Sequence, residues 1–167
     1  MSLRSWFEWV NEFPSSVAIR ESVTLYPTLL TVHVVSMCLF AGLVIMMDLR
    51  LLGVGNLRTP FSQVQKRLFP GQMVGLVVSS VSGLMLLYGQ PVRFYGNIFF
   101  WTKSVMMVLA AVNALAFHLS TYESVAKWDS AAVMPSAAKL AGVVSIVLWA
   151  FVVICGRLIA YNWFNPV

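Results

Sequence analysis

The sequence predicts an all-α membrane protein: a four-transmembrane-helix bundle with an N-terminal interfacial amphipathic helix. Three observations carry that expectation. Hydrophobic residues make up 59% and charged residues 10% of 167 positions, with a mean hydropathy of +0.82, whereas about a quarter of a soluble domain is charged. Four apolar segments, about 26–47, 70–89, 98–120 and 137–161, each approach the ~20 residues that cross a hydrocarbon core of about 30 Å. They occupy most of the chain, so 1–167 reads as a single integral membrane domain with no room for a soluble catalytic one.

The first 22 residues come before any of these segments. Leu3, Trp6, Phe7, Val10 and Phe13 recur at helical spacing, with Arg4, Glu8, Asn11 and Glu12 between them. That pattern suits a helix lying in the membrane interface or a cap packed on the bundle. The stretch lacks the uninterrupted apolar core of a signal peptide and is expected to remain.

The helix ends carry their own signals. Pro27 and Pro70 fall in first turns, where a missing N–H costs nothing, and Asn97 and Ser136 are N-cap candidates. Gly89 and Pro91 close the second helix, and Asn165-Pro166 follows the fourth. Phe94, Tyr95, Phe99, Phe100 and Trp101, then Tyr161, Trp163 and Phe164, read as belts at the headgroup level. Along the second helix Gly71, Gly75, Ser79 and Gly83 form a small-residue stripe that admits a close neighbour, inside the bundle or across a symmetric contact. Ala110 and Ala114 make a shorter stripe on the third helix, with Met107 and Lys103 on a similar face. The lysine requires that face to look inward.

Charge orients the bundle. Arg50, Arg58, Lys66, Arg67, Lys127 and Lys139 flank one side, and Arg4, Arg20 and Arg93 the other. The positive-inside rule then puts the 48–69 and 121–136 connections in the cytoplasm and both termini outside, which in an inner membrane is the periplasm. The net charge of +5 reflects topology and contact with anionic lipid rather than nucleic acid. Cys38 and Cys155 lie within membrane helices and are expected to be free thiols. A unit this small is expected to assemble further, as a homo-oligomer or a subunit of a larger membrane complex.

The polar residues inside the helices point to function. At 1.5 Å per residue, His33, Lys103 and Arg157 lie ~10, ~9 and ~9 Å in from Tyr26, Asn97 and Trp163, with Met85 near that level and Tyr88 closer to the rim. Three candidate cations thus share one outer layer, and no Asp or Glu lies in the outer half of any membrane helix. Either a carboxylate from the N-terminal segment reaches them, or Lys103 and Arg157 snorkel to headgroups, or an anionic or carbonyl-bearing ligand such as haem b or a quinone fills the layer.

A bis-histidine haem is excluded by spacing, because His118 lies ~20 Å deeper than His33. His33 would need a methionine such as Met85, or an open position. Met37, Met73, Met106 and Met107 add candidates that also suit core filling. Copper is the alternative cofactor, with His33, Met37, Cys38 and Met85 as soft ligands, although Lys103 and Arg157 would repel a cation. Near the cytoplasmic side Asp48 and His118 share a depth, which predicts a structural polar pair, with Arg50 and Arg67 as other partners for Asp48. The middle, from Phe40 to Ile45 with Val77, Val108 and Ile146, reads as dry, which argues against a continuous proton wire.

Across all four helices the chain resembles a family of small, uncharacterised bacterial four-helix membrane proteins. The resemblance rests on the helix-one histidine followed by DLRLLG at 48–53, SGLMLLYGQPVRFYGNIFFWTK at 82–103, NALAFH at 113–118 and GRLIAY at 156–161. It implies an inner-membrane location and marks His33, Asp48, Lys103, Asn113, His118 and Arg157 for testing. The likeness to cytochrome b561 and to copper-resistance membrane proteins is one of helical architecture, and the chain lacks the two histidine pairs of the former.

Three functional readings are consistent with these residues. One is a membrane subunit binding a redox or anionic cofactor through His33, Lys103 and Arg157, with Met85 and Tyr88 nearby, and serving a periplasmic partner in electron transfer. The others are a copper-handling protein and a ligand-free anchor or assembly subunit. No nucleophile–base pair or carboxylate dyad marks the chain as an enzyme by itself.

Overall fold

The computed structural model describes residues 2–54, 58–129 and 134–161, and those residues are helical with short connections. Helices α1 (Leu3–Asn11) and α2 (Pro14–Glu21) precede the long α3 (Leu25–Leu52) and α4 (Phe61–Gly89). A short α5 (Pro91–Tyr95) leads to α6 (Ile98–Leu119). A 3₁₀ turn (Tyr122–Ser124) and α7 (Val125–Trp128) come before α8 (Ser136–Leu158). Four helices, α3, α4, α6 with its extension, and α8, are long and apolar enough to cross a membrane. Large side chains such as Val35, Val77, Leu84, Val108, Leu115 and Ile154 are exposed along them. In water that surface would be untenable, and in a bilayer it is the lipid face.

The N-terminal segment packs on the bundle, as two helices. Pro14 starts α2 and so breaks the segment after α1, whose N-cap Ser2 accepts from the Ser5 N–H. Phe7 and Val10 are buried, with Phe7 against Tyr95 at a 5.0 Å ring separation, while Leu3, Trp6 and Trp9 stay exposed on the other face. Helix α2 is fastened to the end of α4. Ser16 donates to the Tyr88 carbonyl (2.8 Å), Ser15 and Tyr88 share a hydroxyl bond (2.6 Å), and Arg20 donates to Asn11 (2.7 Å). We call this the cap end and the opposite side the connector end.

Two membrane helices run longer than the sequence predicts. α3 continues through Asp48 and Arg50 to a stop at Gly53, whose φ of +77° permits the left-handed C-cap. α4 begins at Phe61 rather than near 70, so Pro70 sits inside the helix and not in its first turn. The cause is distant in sequence. Asp129 accepts from the Ser62 N–H and hydroxyl, both at 2.7 Å, and its carbonyl accepts from Phe61 N–H, satisfying the α4 N-terminus from the other connection. Asn97 caps α6 as expected, accepting from Phe99 N–H at 2.9 Å. At α8 the cap residue is Pro135, with Ser136 already helical, and the helix stops at Leu158 rather than 161. Trp163, Phe164 and Asn165-Pro166 lie outside the described residues.

The small-residue stripe faces α3. A Cβ added at Gly71 would lie 2.8 Å from Leu43 Cδ1. One at Gly75 would lie 3.0–3.1 Å from Phe40 and the Ser36 carbonyl, and one at Gly83 would lie 2.9 Å from the His33 ring. α3 therefore packs backbone-close on α4. On its other side α3 meets α8, where Gly142 abuts Asp48 and Leu51, and α8 in turn packs on α6. The helices thus stand in the order α4–α3–α8–α6. At the connector end the row curls closed through a buried cluster of Leu51, Phe61, Phe117, Trp128, Met134 and Ala138.

Two glycines of the α3–α4 region test this packing. Gly75→Ala should lower stability by about 1–3 kcal/mol through overpacking. Gly42→Ala, with nothing within 4 Å of the new methyl, should be neutral or stabilising by a few tenths of a kcal/mol through helix propensity. Thermal unfolding in one detergent checks both, and equal effects would mean that the stripe is not the contact.

Candidate functional site

His33 lies on the α3 face turned to α4, half-buried, with its ring over Gly83. Its Nδ1 is 2.9 Å from the Ser79 carbonyl and 3.3 Å from the Ser82 hydroxyl. The Ser82 hydroxyl donates to the Val78 carbonyl at 2.6 Å, so toward His33 it acts as an acceptor. A carbonyl only accepts, hence Nδ1 carries the proton. In the neutral imidazole the lone pair is then on Nε2, which has no hydrogen-bond partner among the described residues.

Lys103 reaches the same place from α6. Its Nζ lies 3.7 Å from the Met37 sulfur, one turn below His33, and passes 3.6 Å from the Cβ position of Gly156, next to Cys155. Met37 is four residues past His33 on α3, so the ammonium lies within a helical turn of the imidazole's level. Among the described residues the one ion pair is the exposed Arg4–Glu8 contact, so no carboxylate neutralises Lys103. A thioether is a weak acceptor for an ammonium.

The predicted outer layer is therefore narrower than expected. His33, Lys103 and Met37 come together, but Arg157 does not join them. Gly156 is the α8 residue facing Lys103, so Arg157, one residue on, is turned about 100° away. It is exposed and lies over Tyr161, 5.4 Å from the ring centroid, with a 3.2 Å bond to the phenolic oxygen. Met85 is exposed, two residues past the Gly83 that faces His33. Tyr88 is held by the cap through Ser15 and Ser16. Cys38 is exposed and Cys155 buried, both free thiols. The Met37 sulfur is the acceptor for Lys103 rather than an open ligand.

The Asp48–His118 pair is not formed. Asp48 is buried on the α3 face toward α8, against Gly142 with Ser145 beside its carboxyl group, and Oδ2 has no hydrogen bond. His118 is exposed, stacks on Tyr122 at 4.8 Å, and meets the Gln65 amide at 3.4 Å. Equal depth placed the two on different faces. Arg50, 1% exposed, donates through Nε and Nη2 to the Thr59 carbonyl (3.1 Å each), leaving Nη1 unbonded, so it clamps the connection rather than pairing with Asp48. Asn113 donates to the Ala141 carbonyl (3.0 Å), a tie between α6 and α8.

Several participants were not singled out from the sequence. Ser82 and the Ser79 carbonyl orient His33, and the antiparallel register of Gly83 opposite His33 was the available signal. Gln72, buried and bonded to the Leu43 carbonyl at 3.2 Å, and Gln65 are glutamines within α4. Gln72 falls within the expected 70–89 segment, whereas Gln65 enters the helix only through its early start at Phe61.

Fold and site together define a multi-pass, all-helical membrane protein with a polar pair held between its helices. A family model matches residues 6–162, nearly the whole chain, and the protein belongs to that family, described as a family of unknown function (DUF6644). No curated protein and no solved structure matches.

The separation of Asp48 and His118 has a measurable consequence. Asp48→Ala and His118→Ala should add within about 0.5 kcal/mol in a double-mutant cycle of unfolding free energies. A larger coupling would place the two side chains in contact after all.

Proposed function

We propose that the protein is an inner-membrane subunit that holds a redox or anionic ligand, haem b or a quinone, at His33 and Lys103 in the outer half of the bundle, and serves electron transfer with a periplasmic partner. The observation that carries this reading is the pairing of an unspent imidazole lone pair with a half-buried ammonium whose described acceptor is a thioether sulfur. Burying an ammonium without an anion or strong acceptor costs several kcal/mol, and a ligand oxygen removes that cost. The Nδ1–H···O=C bond is also the arrangement that presents Nε2 as an electron-pair donor.

The anchor reading expects both cations to reach headgroups. Arg157, exposed against Tyr161, is consistent with that expectation, whereas Lys103 turns inward to Met37. A copper site is less well supported, because the ammonium occupies the same space and the Met37 sulfur is already engaged. Among the described residues no three His, Cys, Asp or Glu gather.

Extraction of protein purified in native lipid discs, followed by mass spectrometry and absorbance, tests the reading. Wild type should release a haem or quinone in near-stoichiometric amount, and Lys103→Met should retain about tenfold less, the loss of one charge-assisted hydrogen bond. Equal yields from both, or none from either, would favour the anchor. For topology, a periplasm-active reporter fused after Val167 should be active, in keeping with the six-to-three bias of basic residues. Activity of a cytoplasmic reporter there instead would reverse the orientation.

A further inference from the structure

The surroundings of the His33–Lys103 pair select among its possible ligands, a selection that rests on reading that pair as a binding site. In the row α4–α3–α8–α6, the outer helices α4 and α6 make no close backbone approach comparable to the neighbouring pairs among the described residues. They meet through rings at the connector end, where Phe61 and Phe117 are 6.1 Å apart. Toward the cap end His33 lies on the α3 face turned to α4, and Lys103 reaches the Met37 sulfur of α3 from α6. The cap end is tied across the bundle. α2 is bolted to α4 through Ser15, Ser16 and Tyr88, and Asn97 ties the start of α6 to the Ile159 carbonyl at the end of α8.

The pair is chemically asymmetric. Lys103 offers only N–H donors, and Nε2 of neutral His33 offers only a lone pair. Of the candidate partners for a haem on Nε2, the Met37 sulfur is bonded to Lys103, Met85 is exposed, and His118 is at the connector end. A ring whose oxygen is a carbonyl in one oxidation state and a hydroxyl in the other matches both groups, accepting from Lys103 as the carbonyl and donating to His33 as the hydroxyl.

We propose that the ligand is a membrane quinone with an isoprenoid tail, entering laterally between α4 and α6 and exchanging as quinone and quinol at His33 and Lys103. The tail stays in the hydrocarbon outside the gap, and the headgroup supplies the oxygen that Lys103 lacks. Gly83 is a positioning residue. A side chain there would collide with the imidazole at 2.9 Å and turn Nε2 away.

The test uses the full chain in lipid nanodiscs and a naphthoquinone bearing one isoprene unit, read by quenching of tryptophan fluorescence. Wild type should quench saturably, Lys103→Met should raise the apparent Kd by about tenfold or more, and the lipid-edge control Arg157→Met should leave it unchanged. A photoreactive azido-quinone on wild type, which needs no variant to fold, should label peptides of α3, α4 or α6 around His33 and Lys103. Labelling confined to other segments, or equal quenching by wild type and Lys103→Met, would overturn the proposal. Haemin is the second probe. A His33-dependent Soret shift without saturable quinone binding would leave the binding site standing and refute the quinone, whereas no saturable binding of either probe would refute both.

Discussion

The close seam between α3 and α4 is the constraint on which the rest depends. In lipid, apolar surface gains nothing by meeting apolar surface, so helices associate where backbones come near enough for dense packing. Gly71, Gly75 and Gly83 supply that proximity, with Ser79 in the same register. The seam also fixes the imidazole. Because Gly83 has no side chain, the His33 ring can lie on α4, and because the backbones are close, Nδ1 reaches the Ser79 carbonyl without a water. A bulkier stripe would leave His33 without a seat and its tautomer unset.

From that seat the polar chemistry is divided by end. At the cap end His33 is bonded to the Ser79 carbonyl, and Lys103 meets a thioether sulfur one turn along α3. The connector end holds an apolar cluster around Phe61, Phe117 and Trp128, bordered by Asp48, Arg50 and Gln65, each with an unbonded buried atom. The two regions differ in what they ask of their surroundings. Arg50 is answered by the Thr59 carbonyl and helps fold the connection, and Asp129 performs a similar service for the start of α4. Lys103 has no such backbone partner among the described residues.

Depth along the membrane was legible in the sequence, and direction around each helix was not. Four apolar runs and counts of 1.5 Å per residue put His33 and Lys103 on one level, and Lys103 reaches Met37, one turn from His33. The same arithmetic put Arg157 there, yet Gly156 takes the inward direction and the guanidinium turns to Tyr161. Asp48 and His118 failed likewise, level but facing α8 and α4 respectively. The early start of α4 was hidden for a different reason: Pro70 imitates a helix start, and the true cap comes from Asp129, 67 residues away from Ser62. Tertiary caps of that kind leave no mark in local sequence.

The central claim is that His33 is held as the Nδ1–H tautomer with Nε2 bare beside Lys103. Nitrogen-15 NMR of histidine-labelled protein in lipid tests it directly, with His118→Gln removing the only other imidazole. In protein stripped of ligand at neutral pH, His33 should show a protonated, hydrogen-bonded Nδ1 and an unprotonated Nε2, and titration with a quinol should shift Nε2 alone. A resonance pattern with the proton on Nε2 would contradict the Ser79 anchor and, with it, the site built on it.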